Sequence, residues 1–345
     1  MKVCIFGAGA IGGLMAVRLA QSGAELSLVA RGPHLEAMRA NGLRLLIEGE
    51  ERVARVRCTD DAATLGPQDC VIVTLKAQQI SAAAASIASL FHRDSSVVTA
   101  YNGLPYWFFA NARVTLANAK LQGIDPEGLQ ARLIGAERAI GCVVLPAAEV
   151  IAPGVIRHVS GFTFPIGEPG GEHTARLAQL QGLLVAGGLK APIRADIRNE
   201  IWLKLWGNLC LNPISALTHA TLDVLTADPA TRALCRAMML EAQAIGDRLG
   251  LRLRVDVERR LDAAGAVGAH KMSMLQDLER GREMEVEPLV GVVQELGRLT
   301  GVPTPTLDLV LALIRQRAHV AAKGRERADP LGGAAIPVAA SRGAP

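Results

Sequence analysis

The sequence predicts an α/β protein, with an N-terminal Rossmann-type dinucleotide-binding domain followed by an all-helical C-terminal domain. Three observations carry that expectation. Short apolar strands alternate with helical stretches over the first hundred residues, a glycine-rich turn follows the first strand, and after Asp196 the pattern becomes helical almost throughout. Alternation of this kind gives a parallel sheet covered on both faces. With 345 residues, 50% of them hydrophobic and 20% charged, the chain can bury a large core in one or two domains.

Lys2 to Phe6 reads as a buried strand, Gly7 to Gly13 as a turn, and Leu14 to Gln21 as the helix that follows. Glu25 to Ala30 is a second strand, with a turn at Arg31-Gly32-Pro33 and a helix from His34 to Asn41. Cys70 to Leu75 is another strand, succeeded by an alanine-rich helix near 79–90 and a strand from Val97 to Tyr101. Between Ile140 and Glu168, β-branched stretches broken by Pro146, Pro153, Gly154, Gly161 and Pro165 predict antiparallel strands closing the sheet. Asp228-Pro229 and Thr304-Pro305 each place proline at the first helical position, and Gly250 stops a helix. The first domain is expected over 1–192 and the second over 193–325. Residues 326–345, rich in Gly, Ala and Pro, are expected to be a disordered tail.

Composition excludes several classes. Lys plus Arg number 37 against 33 Asp plus Glu, and the net +4 is spread along the chain with few aromatics to stack bases, so no nucleic-acid partner is expected. Six cysteines without C-x-x-C spacing read as reduced thiols of a cytoplasmic protein. The uncharged run from Val3 to Val17 superficially resembles a signal peptide, but four glycines interrupt it, and no later run would span a bilayer. The histidines show no H-x-x-x-H or H-E-x-x-H spacing and there is no G-x-S-x-G, so neither a metal site nor a serine hydrolase is expected.

Gly7-Ala8-Gly9-Ala10-Ile11-Gly12 fits G-x-G-x-x-G at a strand-to-helix junction. There the first glycine makes the turn, the second admits a pyrophosphate, and the third lets helix pack on strand. A merely tight turn is the alternative. Where an NAD-binding protein usually carries Asp or Glu, this chain has Ala30-Arg31. A guanidinium there pairs with a 2′-phosphate, which favours NADPH over NADH, unless Arg31 is only a solvated loop charge.

From Ile201 to Ala216 the polar side chains besides the indoles are Lys204, Asn208, Asn212 and Ser215. At i, i+4, i+8 and i+11 they share one face of a helix that is apolar elsewhere. Such a helix is largely buried, so the stripe should face a cleft holding a polar ligand. The alternative has Lys204 snorkelling to solvent and the asparagines capping a neighbouring helix. A protonated Lys204 suits carbonyl reduction, because an ammonium stabilises charge developing on oxygen and supplies the proton. A second polar set comprises Ser273, Gln276, Asp277 and Glu285; favourable placement near a helix start is the plain reading of Glu285 and Glu287.

Together these residues resemble the ketopantoate reductase family. The resemblance runs from residue 1 to about 320. It rests on the glycine turn, on Val-Thr-Leu-Lys-Ala-Gln-Gln at 73–79 with Tyr-Asn-Gly-Leu at 101–104, on Trp-Leu-Lys-Leu-Trp-Gly-Asn-Leu-Cys-Leu-Asn-Pro at 202–213, and on Ser-Met-Leu-Gln-Asp at 273–277. It implies NADPH-dependent reduction of 2-dehydropantoate (ketopantoate), a 2-oxo acid, to pantoate in pantothenate biosynthesis. Lys204 matches the family's proton donor, and Asn208 and Asn212 match asparagines that bind substrate. Ser273 matches a serine holding the substrate carboxylate, and Glu285 an acid that contacts substrate or cofactor and orients the lysine. Lys76 and Asn102 match cofactor-side residues, Asn102 lying near nicotinamide and substrate, and Ala147 matches a backbone contact to cofactor. Three features depart from the pattern. Met272 replaces a small hydroxyl residue, Leu222 stands where some members place a substrate-binding asparagine, and Pro105-Tyr106-Trp107-Phe108-Phe109 is unusually aromatic. That loop could reshape the nicotinamide pocket or form a dimer contact. Two rivals therefore stay open, a paralogous NADPH-dependent reductase of another 2-oxo acid and a non-catalytic NADPH sensor, and a homodimer is compatible with each.

Overall fold

The computed structural model describes residues 1–110, 116 and 119–328, the side chains of 325–328 excepted. The order opens with β1 (Lys2–Phe6), α1 (Ala10–Leu19), β2 (Glu25–Val29) and α2 (Gly32–Asn41). A hairpin β3 (Leu43–Ile47) and β4 (Glu50–Ala54) precedes β5 (Arg57–Thr59), β6 (Gln68–Val73), α3 (Ala77–Ala88) and β7 (Phe91–Thr99). A short α4 (Leu129–Leu133) leads to β8 (Ala139–Cys142), β9 (Ala147–Ala152), β10 (Val155–Ser160), β11 (Ile166–Gly167) and α5 (Ala175–Ala186).

The main sheet has the order β11-β8-β7-β6-β1-β2-β5. Every neighbouring pair is parallel except β11 on β8. Strand order reverses between β1 and β6, so the carboxyl ends of those strands frame a crevice where ligands of such sheets bind. The sequence expectation of strands and helices in alternation is met here.

The stretch from 140 to 168 behaves differently from the expectation. Only β11 closes the main sheet antiparallel; β9 and β10 leave it for a second sheet of order β4-β3-β10-β9, in which β10 runs parallel to β3. The β3–β4 hairpin turns on Glu48 (φ 52) and Gly49 (φ 81), a pair requiring two positive φ angles that a Glu-Gly sequence signals weakly. The second sheet explains α1. Wedged between both sheets, α1 buries Leu14, Met15, Ala16, Val17 and Leu19, so it is apolar on every face except at Arg18 in its last turn.

From Asp196 the described chain is helical. It comprises α6 (Ile197–Thr218), α7 (Leu222–Ala227), α8 (Pro229–Arg248), α9 (Val257–Gly265), α10 (Ser273–Glu279), a π-helical turn at Glu287–Gly291, α11 (Val292–Thr300) and α12 (Pro305–Ala328). Side chains of Asp196 and Asp228 accept from Asn199 N and Thr231 N, capping α6 and α8. Around α6 gathers a core that includes Trp202, Trp206, Met238, Met239 and Leu311. Helix α12 continues to Ala328, past the expected end of the second domain at 325, and 329–345 lie outside the described residues.

The aromatic loop joins that core. Trp107, Phe108 and Phe109 are 0%, 2% and 4% exposed, so they neither reshape the cleft nor offer a dimer contact. Trp107 Nε1 donates to Thr99 Oγ1 at 3.1 Å, and Arg198 donates to the carbonyls of Phe108 and Ala110 at 2.8 Å, fastening the sheet to α6. Among the described residues, no helix is long and apolar enough to cross a membrane, and no group of three His, Cys, Asp or Glu is placed to hold a metal.

Candidate active site

The glycine turn sits at the carboxyl end of β1. Gly7 has φ +108, which a side chain would strain, and a Cβ on Gly12 would collide with the Gly7 carbonyl and Thr74 Oγ1. Thr74 Oγ1, at the end of β6, donates to the Gly7 carbonyl at 2.5 Å and ties the two sides of the crevice. A Cβ on Gly9, by contrast, would meet nothing within 4 Å. That open space, at an α1 N-terminus with no capping side chain and no acid in its first turn, suits an anionic phosphate. Arg31 caps α2 beside it, exposed and without an ion-pair partner among the described residues. No carboxylate stands at the end of β2, so the residues fit a 2′-phosphorylated dinucleotide.

From this turn a cleft of about 390 Å³ runs between sheet and helices. Gly9, Ala10, Ile11, Lys76, Asn102 and Ala147 line one wall, and Lys204, Asn208, Ser273 and Glu285 the other. Gly7, Ala8 and Gly12 lie beneath the lining as its support. The expected constellation is thus largely brought together, although its members range from Gly9 to Glu285 along the chain.

Lys204 is half-buried, and its Nζ donates to Asn102 Oδ1 at 2.7 Å and to the Val144 carbonyl. An ammonium has three protons, so one remains for a ligand. Burial pulls its pKa from the ordinary 10.5 down to about 8, with the Glu285 carboxylate opposing. Glu285 is buried and accepts from Ala77 N at 3.3 Å and Asn102 Nδ2 at 3.4 Å. Ala77 opens α3, so the carboxylate faces a helix N-terminus across the cleft. Burial raises the Glu285 pKa, while Lys76 and these two donors draw it back.

The arrangement corrects one detail of the expected lysine–acid pair. Glu285 makes no hydrogen bond to Lys204; Asn102 stands between them, presenting Oδ1 to the ammonium and Nδ2 to the carboxylate. That amide orientation is the one satisfying both neighbours. Lys76 also differs from expectation in its partners. Its Nζ donates to Asp277 Oδ2 and to the Glu283 carbonyl, each at 2.6 Å, and so bridges the sheet to α10.

Asn212 requires a larger correction. It is fully buried and absent from the cleft lining; its Oδ1 accepts from Ser273 Oγ and Met274 N, each at 3.1 Å. Ser215 likewise turns inward and donates to the Ala220 carbonyl at 2.6 Å. Helix α10 packs on α6 and meets it at Asn212 through Ser273 and Met274. Asn208 does reach the cleft, half-buried and without a hydrogen-bond partner among the described residues. Ser273 is exposed to the cleft at the start of α10.

Sequence reasoning missed His270 and Arg280, which also line the cleft. Arg280 pairs with Glu149 of β9 across the mouth, and no local pattern signals a contact between residues 131 positions apart. Leu222 is buried, and its N–H donates to the His270 carbonyl at 3.0 Å; it supports the His270 backbone instead of touching a ligand.

Known proteins share the sequence and fold of this chain. Family models described as Ketopantoate reductase PanE/ApbA and Ketopantoate reductase PanE/ApbA C terminal match residues 3–171 and 196–318. A 2-dehydropantoate 2-reductase of Mesorhizobium japonicum is 56% identical over 319 residues, covering 92% of this chain and 98% of the relative. A Ralstonia solanacearum protein assigned provisionally as a ketopantoate reductase superposes with TM-score 0.89 at 42% identity, covering 93% of this chain and 98% of its own. A PanE/ApbA family ketopantoate reductase from Ralstonia eutropha gives TM-score 0.80 at 26% identity, with 93% and 99% covered.

Proposed function

Since the chain belongs to the ketopantoate reductase family, we propose that it reduces 2-dehydropantoate to pantoate with NADPH, as a cytoplasmic step of pantothenate biosynthesis. The observation that carries this reading is the Lys204 ammonium, anchored by Asn102 and the Val144 carbonyl in the cleft that begins at the glycine turn. Gly7 to Gly12 and Arg31 hold the dinucleotide, with Lys76, Asn102 and Ala147 on the cofactor side. When bound, NADPH supplies the hydride. Lys204 donates its free N–H to the keto oxygen and gives up a proton as the alcohol forms, for the balance ketopantoate + NADPH + H⁺ → pantoate + NADP⁺. Asn102, held by Glu285, keeps the ammonium aimed. Ser273 and Asn208 bind the polar ends of the keto acid, and Asn212 acts by fixing Ser273.

The rival substrate drew on the aromatic loop and Leu222, both of which lie away from the cleft lining. A steady-state assay of NADPH and NADH with ketopantoate and other 2-oxo acids tests the proposal. NADPH with ketopantoate is expected to give the highest kcat/KM. A better 2-oxo acid would move the name to a paralogous reductase, and no oxidation with any of them would revive the sensor. Arg31→Ala is expected to lower the preference for NADPH over NADH by about 10-fold, the scale of one charge-assisted contact. Self-association as a homodimer belongs to the same reading, since α12 turns Leu309, Leu313 and Val320 outward; sedimentation as a monomer would remove it.

A further inference from the structure

We propose that His34 is a positioning residue for the dinucleotide, holding the Ala8–Gly9 peptide so that the Gly9 N–H faces the phosphates. The inference rests on the NADPH-binding reading above. His34 lies in the first turn of α2, outside the glycine motif, yet it touches the motif directly. Its Nε2 is 2.7 Å from the Ala8 carbonyl oxygen, and its Nδ1 accepts the Gly154 N–H at 2.9 Å. Because Nδ1 accepts, the ring proton sits on Nε2, which donates to Ala8. One imidazole thus joins the glycine turn to the turn between β9 and β10.

Geometry gives that bridge a consequence. In a planar trans peptide the C=O and N–H point in opposite directions. With the Ala8 oxygen turned to His34, the Gly9 N–H is turned away from it. That N–H has no partner among the described residues, and the space beside Gly9 is open to the cleft. A free donor and room are what a phosphate oxygen requires. The far end of the bridge is itself fixed, because the Gly154 carbonyl accepts from Arg44 N of β3 at 2.9 Å. The second sheet therefore lends its rigidity to the phosphate-binding turn.

The test is the NADPH dissociation constant, read by fluorescence titration without substrate, beside kcat and the keto-acid KM. NADPH binding by the unaltered protein is measured first; its absence would remove the cofactor reading and this inference with it. His34→Leu deletes both bonds and is expected to raise the NADPH Kd about 10-fold, leaving kcat at saturating NADPH and the keto-acid KM within about twofold. His34→Gln offers an N–H and a C=O on one side chain and is expected to restore most of the affinity. Should His34→Leu fail to fold, His34→Asn, one carbon shorter than the glutamine, takes its place with the same expected loss. Parent-like NADPH binding by the leucine or asparagine variant would overturn the proposal. So would a loss confined to kcat or keto-acid KM, or a glutamine that fails to restore binding.

Discussion

The two ends of α6 carry similar polar side chains on one face and put them to opposite uses. Lys204 and Asn208 open onto the cleft, whereas Asn212 and Ser215, one and two turns further on, are buried and bond to the protein itself. The difference lies in what meets each side chain: α10 presents Ser273 Oγ and Met274 N to Asn212, and the Ala220 carbonyl just beyond α6 takes the Ser215 hydroxyl, whereas Asn208 has no partner among the described residues. Periodicity tells which residues share a face; what covers that face is settled by a segment some 60 residues away. The same chemistry is therefore reactive at one end and structural at the other.

Substitution at the open end should break the comparison most sharply. Lys204→Ala is expected to lower kcat by about 10²-fold or more with NADPH binding little changed, as for loss of a general acid, while Ser215→Ala leaves kcat within about twofold. Equal effects in single-turnover assays would erase the distinction. Solution pH probes the same ammonium without mutation. With a pKa near 8, Lys204 is mostly protonated at neutrality, so kcat should fall about tenfold per pH unit above about 8. A flat limb up to pH 10 would remove it as donor. Stability runs the other way. The folded protein binds fewer protons than the unfolded chain between about 8 and 10.5, so the penalty for burying this cation is complete below pH 8 and fades as pH rises.

What the sequence made legible follows the same divide between local and distant causes. The glycine turn is readable because its geometry is set within six residues, and the open half of α6 because helical spacing alone places Lys204 and Asn208 together. Asn212 was misjudged because its burial depends on α10. The intervening position of Asn102 between Lys204 and Glu285 joins three segments, and no spacing within one segment encodes it. The β3–β4 hairpin was missed because Glu48-Gly49 is a weak turn signal, and the aromatic loop was misplaced because exposure is decided by α6 and Arg198.

A middle-sized effect sharpens the contrast between the two asparagines. Asn208 has no partner in the protein, so Asn208→Ala should leave thermal stability within about 0.5 kcal/mol and raise the keto-acid KM about 10-fold. A stable variant with an unchanged KM would show that the open amide meets no substrate.

The smallest expected effect lies at the covered end. Asn212 touches the cleft only through Ser273, whose hydroxyl it accepts, and through the Met274 N–H that it holds at the start of α10. Asn212→Ala should therefore destabilise the fold by about 1–3 kcal/mol, because a buried N–H loses its acceptor. Its effect on the keto-acid KM should be a few-fold and should pass through Ser273. In a double-mutant cycle, adding Asn212→Ala to Ser273→Ala is expected to change KM hardly further, since the hydroxyl being positioned is already gone. Full additivity in KM would mean that Asn212 reaches the substrate on its own, and both ends of α6 would then serve the cleft.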